Sequence, residues 1–341
     1  MTAKAESGLG TPTKSENVVM QFFVRFRNAG VFVIFVALLV LATIISPGQN
    51  FMREANLETL LALGPEFCII ALGIGVLMIA GEFDLSIGSV LAFCALIFTV
   101  LLEQGVNPFI ATVVTLIGGA LIGMFNGLVT VKGQIVSFIA TLGSMMFWRG
   151  MTVILAGDKM RAVTLDQYPL FTNVFIGSLG GVLPTQAIWL LFFGVILFLL
   201  LHHRRFGNWI YATGDNLMAA RAMGINTGRV KIACFVIVGA LCGFAAVLQM
   251  SRLAAFSSRV GTDWELRAVA AAVVGGTSLL GGRGSLVGIF LGGVIIVVID
   301  NMVTLARLAY EWTYMVFGIV TLGAVLMDLI IEKRIQRGSA S

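Results

Sequence analysis

Charged side chains are scarce in this chain: only 11% of its 341 residues are Asp, Glu, Lys or Arg, against about 25% in soluble domains. Histidine occurs twice, cysteine four times and proline six times. His202 and His203 are adjacent and abut Arg204 and Arg205. Neighbouring side chains point apart, so the pair fits a basic interfacial edge rather than a metal site. Cys68, Cys94, Cys234 and Cys242 all lie in apolar runs, where cysteine acts as a small hydrophobe, and neither a disulfide framework nor a metal spacing is present. With both histidines in one loop and no nucleophile and base pairing in view, an intramembrane enzyme finds little support.

What is plentiful is apolar sequence: 58% of the residues are hydrophobic and the mean hydropathy is +1.00. Ten charge-free stretches reach fifteen residues or more: 28–52, 67–81, 85–102, 104–131, 133–148, 167–203, 232–251, 268–282, 284–299 and 312–327. About twenty residues of helix cross the bilayer core. The expected fold class is an all-α polytopic membrane protein with about ten transmembrane helices. Residues 167–203 stay open between one helix with a re-entrant piece and two short helices. The run from Asn28 to Ile45 is too long for a signal-peptide core and lacks a small-residue cleavage site.

Lys and Arg favour the cytoplasmic side of short loops. Ten spans starting inside leave Arg53, Arg149, Lys159, Arg161, Arg252, Arg259, Arg267 and Arg307 outside and the other 14 of the 22 basic residues inside, densest from His202 to Lys231. Both termini are then cytoplasmic, and topology accounts for the net charge of +5 without a nucleic-acid partner. The expected layout is a cytoplasmic tail over 1–28, a membrane domain over 29–330 with a cytoplasmic loop at 202–231, and a cytoplasmic tail over 331–341.

Forty glycines raise the question of a phosphate-binding loop. Gly276 and Gly281 have the P-loop spacing, but Gly282 and Arg283 stand where its lysine and hydroxyl belong. Gly8 to Ser15 carries Lys14 and Ser15 but has Thr13 in place of the second glycine, so neither is a nucleotide site. In membranes small residues let helices approach closely, and Gly119, Gly123 and Gly127, like Gly284, Gly288 and Gly292, recur every fourth residue as packing seams. GGALIGMFNGLVT (118–130) faintly echoes GGVIIVVIDNMVT (292–304), as an inverted repeat would.

Carboxylates inside apolar zones mark transport pathways unless they lie at the interface. The candidates are Glu66, Glu82, Asp84 and Asp300. The segment IAGEFDLSIGS (79–89) is either a tight inner turn or a broken helix at membrane depth, which is tolerated only inside protein or beside a cavity. VVGGTSLLGGRGS allows the same two readings, with Gly276, Thr277 and Ser278 at its centre. Asp300 and Asn301 also fit a solvated helix end.

The loop HRRFGNWIYATGDNLMAARAMGINTGRVK (203–231) holds a short helix from Leu217 to Met223, with Asp215 or Asn216 as N-cap and Gly224 as C-terminal stop. About 10 Å long, it cannot span a bilayer, yet apart from Arg221 it is apolar. Such a helix needs outside contacts, either a groove on a cytosolic protein or the lipid interface and the protein's own spans.

YATGDNLMAARAMGI followed by RVK, GTDWELRAVAAAVVGGTSLLGGRGSLVG, GEFDLSIGS and NGLVTVKGQIVSFIATLGSM together resemble the permease subunits of ribose-type ABC sugar importers, over about Leu57 to Asp328. The resemblance implies a dimeric permease of the vitamin-B12-importer-like type with inverted repeats, in the bacterial cytoplasmic membrane. A cytosolic ABC ATPase would use ATP and Mg, and an extracytoplasmic binding protein would deliver the sugar. The permease itself would bind no cofactor and perform no chemistry. By position, Gly214, Asp215, Asn216, Leu217, Ala219, Ala220, Arg221, Gly224 and Ile225 match the ATPase-coupling loop. Asp84, Leu85 and Ser86 match a D-L-S element and Gly276, Thr277 and Ser278 a G-G-T-S element; with Asn126 they are the expected substrate-pathway residues. Glu82 and Phe83 depart from the glycine and aliphatic residue of many relatives. The alternatives are a related cargo (a nucleoside, branched-chain amino acid or signalling sugar) and an ion-coupled transporter using the four carboxylates.

Overall fold

The computed structural model describes residues 27–157, 159–309 and 311–338. The N-terminal tail, apart from its last two residues, and the Gly8–Ser15 stretch lie outside the described residues. Helix α1 spans Arg27–Ile45 and a 3-10 turn Pro47–Met52 leads into α2, Glu54–Ile79. Then follow α3 (Ile87–Glu103), α4 (Pro108–Lys132) and α5 (Ser137–Ala156). Residues 167–203 resolve into a short α6, Pro169–Ile176, and a long α7, Thr185–His203. Helices α8 (Arg205–Asp215) and α9 (Leu217–Ala222) fill the basic loop. The chain ends with α10 (Thr227–Leu253), α11 (Trp264–Val274), α12 (Leu286–Leu305) and α13 (Glu311–Gly338). Helix α13 thus runs through most of the segment expected to be a tail from residue 331.

Six of these helices, α2, α4, α5, α7, α10 and α12, are long and apolar enough to cross a membrane. Helix α11, with 11 residues, extends only about 16 Å. Helix α2 is apolar all round and lies at the centre: every residue from Gly64 to Ile79 is buried, as expected of a helix enclosed by others. It packs against α7, α10, α11 and α12.

Glycine sets how closely these helices approach. A Cβ on Gly119 would lie 2.2 Å from the Gly239 carbonyl oxygen, and one on Gly239 would lie 2.1 Å from the Gly119 oxygen, so α4 and α10 touch backbone to backbone. The second seam differs from expectation. Gly288 and Gly292 press on Gly275 and Ala271 of the α11 end, but Gly284 precedes α12 and belongs to the turn before it. Residues 284–288–292 therefore do not share one helix face.

Four two-residue strands cap the opposite end from α9. Arg161–Ala162 pairs antiparallel with Ala255–Phe256, and Ser178–Leu179 with Leu183–Pro184. Arg161 also reaches Glu103 at 2.8 Å, which fixes the C-terminus of α3 at that end.

Candidate functional site: the junction beneath the short helix

Helix α9 starts as its sequence demands. The Asn216 side chain accepts the Ala219 N–H at 3.0 Å, which satisfies one of the orphan donors of the first turn. It stops at Gly224, whose φ of +80° lets the Ile225 N–H reach back to the Ala220 carbonyl at 3.0 Å. Six residues long rather than seven, it buries Ala220 and presents Met218 and Met223, 74% and 82% exposed. Arg221 folds back to donate to Thr227 Oγ1 at 3.1 Å.

The preceding helix α8 seats this knob. Gly207, Ile210 and Thr213 are its buried face, and the Tyr211 hydroxyl donates to the Gly284 carbonyl at 2.9 Å. Burial raises the Tyr211 phenol above its ordinary pKa. At the end of α8, a Cβ on Gly214 would stand 1.9 Å from the Ile79 carbonyl oxygen and 2.5 Å from the Gly282 nitrogen.

Three distant segments therefore meet at one point: the turn after α2, the turn before α12 and the α8–α9 junction. The Gly282 N–H donates to the Ile79 carbonyl at 2.9 Å. Gly282 would place a Cβ 2.5 Å from Asp215 Cα, and Gly281 one 2.8 Å from Gly81 Cα. Within the second turn Gly276 has a φ of +80°, the Ser278 N–H donates to the Arg283 carbonyl at 3.0 Å and Thr277 is buried. Glycine is required here because two backbones occupy the space a side chain would need.

The first turn, residues 80–86, is a buried connection between α2 and α3. Asp84 is 1% exposed. Its Oδ1 accepts the Ser86 N–H at 2.8 Å and the Ser86 hydroxyl at 2.5 Å. From α4, the Asn126 amide donates to Ser86 Oγ at 2.8 Å and lies 3.4 Å from Asp84 Oδ2. Helix α5 contributes Ser137 Oγ to the Phe83 N–H (3.1 Å) and Thr141 Oγ1 to the Leu85 N–H (3.0 Å). Glu82 pairs with Lys231 of α10. A cleft of about 420 Å³, lined by both apolar and charged side chains, lies between this turn, the α4–α5 connection, Leu217 and Arg221.

The expected site residues thus fall in two contiguous groups. Gly214–Ile225 forms the knob and its seat. Asp84, Ser86 and Asn126 form one buried hydrogen-bonded cluster, and Gly276–Ser278 lies on the neighbouring turn. Sequence reasoning missed helix α8, although buried Ile210 and Thr213 follow Gly207 at spacings of three. It also missed Tyr211 and the Ser137–Thr141 pair, whose hydrogen bonds link residues without a local pattern. Three of the four carboxylates form ion pairs, Glu66 with Arg252 (2.7 Å), Asp300 with Arg267 (2.9 Å) and Glu82 with Lys231, whereas Asp84 is held by the neutral donors of Ser86 and Asn126.

Comparison with known proteins agrees with this architecture. Residues 56–325 match the family model described as branched-chain amino acid transport system / permease component. The ribose import permease protein RbsC of Escherichia coli (strain K12) is 35% identical over 298 residues, covering 86% of this chain and 92% of that protein. The autoinducer 2 import system permease protein LsrC of Salmonella paratyphi B (strain ATCC BAA-1250 / SPB7) is 30% identical over 319 residues, covering 93% of this chain and 90% of that protein. No solved structure matches. With its apolar helices and a family match across nearly all of them, the chain is a multi-pass membrane protein that belongs to the family of branched-chain amino acid transport system permease components.

Proposed function

We propose that this chain is the membrane-spanning subunit of an ATP-driven importer for a small sugar. It carries out no chemistry: a cytosolic ABC ATPase hydrolyses ATP, and an extracytoplasmic binding protein delivers the cargo. The observation that carries this proposal is the exposed pair Met218 and Met223 on the short helix and its C-cap, joined through α8 to two membrane-domain turns. Methionine adapts to apolar grooves, and the contact through Gly214 and Gly282 gives a partner's movement a short backbone route to α2 and α12. The relatives named as ribose and autoinducer 2 import permeases support a sugar or sugar-like cargo.

In this mechanism Gly214, Asp215, Asn216, Leu217, Ala219, Ala220, Arg221, Gly224 and Ile225 form the coupling element. ATPase closure pushes α9, and α8 transmits the push to the turns at Gly81 and Gly281–Gly282. Asp84, Ser86 and Asn126, with Gly276, Thr277 and Ser278, border the path at its coupling end, where their contacts set how α3 and α12 leave the turns. The path runs between two permeases of ten spans each, in a vitamin-B12-importer-like fold with inverted repeats, in the bacterial inner membrane with both termini cytoplasmic. The ion pairs of Glu66, Glu82 and Asp300 with Arg252, Lys231 and Arg267 disfavour the ion-coupled alternative at those three positions.

The test is uptake into proteoliposomes holding permease, ATPase and binding protein. Expected is sugar uptake that needs ATP and all three components and survives an ionophore. Uptake that collapses with the ionophore and persists without the ATPase overturns the proposal.

A further inference from the structure

A crevice of about 530 Å³ lies between α1, α2, α7 and α12, along the half of α2 remote from the coupling helix. Every residue lining it is apolar, from Phe35 of α1 and Met52 of the 3-10 turn to Ala187 of α7 and Phe290 of α12. Packed interiors leave few voids larger than a water molecule, and a water needs about two to four polar partners to fill one. Neither water nor a sugar finds such partners here, so only hydrocarbon fits.

The depth and the opening narrow the occupant further. Along α2 the lining runs from Leu57 to Cys68, a rise of about 16 Å. One leaflet is half of the bilayer's hydrocarbon core, about 15 Å, so the crevice has the depth of a single acyl chain. Met52, Leu57 and Leu61 line it and are exposed, and α1, which forms one wall, exposes Val36 and Val40. The mouth therefore faces lipid.

Charge marks the end where a headgroup lies. Arg53 follows Met52, and Glu54 and Glu58 share a face of α2 with Leu57 and Leu61, because these four positions follow the i, i+3, i+4, i+7 spacing of one helix face. Arg53, Glu54 and Glu58 are exposed, and none has an ion-pair partner among the described residues. A guanidinium binds phosphate through parallel hydrogen bonds. Carboxylates accept hydrogen bonds from a primary ammonium, which a quaternary choline cannot donate. One positive and two negative groups also disfavour a lipid with net negative charge.

We infer that this crevice holds one phosphatidylethanolamine, with an acyl chain between α1 and α2 and the headgroup against Arg53, Glu54 and Glu58. Its chain packs α1 against α2 and α7. The inference rests on the membrane placement of the protein alone and is independent of the cargo.

The test is native mass spectrometry of the purified full chain, equilibrated in detergent with equimolar palmitoyl-oleoyl phosphatidylethanolamine, phosphatidylglycerol and phosphatidylcholine. Expected is one retained phospholipid per chain, with the ethanolamine form exceeding each of the others at least fivefold. Ala187→Trp fills the crevice and should cut that adduct at least tenfold; Leu61→Trp, at the exposed mouth, makes the same test should the first variant not fold. Glu54→Lys with Glu58→Lys leaves the apolar lining intact and should turn the preference towards phosphatidylglycerol, a change that lost packing alone would not give. No retained phospholipid, an undiminished adduct in the tryptophan variants, or an unaltered preference after the double charge reversal overturns the site. A crevice covered by a second copy of the chain overturns it too, and would show as loss of a dimer in Ala187→Trp with the lipid unchanged.

Discussion

The backbone N–H of Gly282 donates to the carbonyl oxygen of Ile79 across 2.9 Å. This bond ties the turn before α12 to the end of the central helix α2, and Gly214 near the end of α8 lies directly against both. A movement of α8 therefore meets the end of α2 directly, backbone against backbone at Gly214. Packed interiors transmit displacement instead of absorbing it.

The junction predicts that Gly214→Ala is not tolerated. The new methyl would meet the Ile79 carbonyl at 1.9 Å, and relief requires backbone separation. Overpacking of this kind costs about 1–3 kcal/mol. Thermal unfolding of the purified protein should show a lowered midpoint, together with loss of uptake. A variant with unchanged midpoint and full uptake would show that the junction is loose.

Gly224 tests strain without clash. Nothing lies within 4 Å of a Cβ there, but φ is +80°. A β-branched residue in this region pays roughly 1–2 kcal/mol, which frays the end of α9. Gly224→Val is expected to insert normally and hydrolyse ATP through its partner while uptake drops at least tenfold. Gly224→Asn, which tolerates positive φ, should retain most uptake. Comparing the ratio of ATP hydrolysed to sugar moved in the two variants checks this.

The knob itself predicts loss of the ATPase on charge insertion. Met218→Glu with Met223→Glu places two charges on a surface that is 74% and 82% exposed, so folding should be unaffected. Co-purification of the ATPase is expected to fall at least tenfold. Undiminished co-purification would assign the methionines to lipid.

The Asp84 cluster predicts a graded series. Asp84→Ala leaves the buried Ser86 N–H and hydroxyl without their acceptor, a loss of about 1–3 kcal/mol, whereas Asp84→Asn keeps one acceptor oxygen. Melting temperatures should follow the order wild type, Asn, Ala, with uptake in the same order.

Glu82 and Lys231 predict a rescue. Their side chains are 11% and 17% exposed, so either single charge reversal buries two like charges. The double exchange Glu82→Lys with Lys231→Glu should recover about 0.5–3 kcal/mol over the sum of the singles. An additive result in a double-mutant cycle would remove the pair from the account of the turn.

The sequence by itself determined much of this protein. Long charge-free runs require buried or lipid-covered helices, because an unsatisfied backbone is too costly in hydrocarbon. The cap at Asn216 and the stop at Gly224 delimit α9 through local backbone chemistry alone. The ordered motifs from Leu57 to Asp328 foreshadowed the family match over 56–325. Only the tertiary structure decided which distant groups meet. Glu66 and Asp300 stood out as costly charges, but their arginines, Arg252 and Arg267, had counted merely as basic residues on the outer side. Gly284 had the spacing of a helix seam, yet the turn before α12 claims it for the Tyr211 bond. Gly81, Gly214 and Gly282 had no common pattern, since close approach depends on where three backbones cross. Local composition fixes which segments are helical and apolar; contact between them depends on packing, which no window of sequence contains.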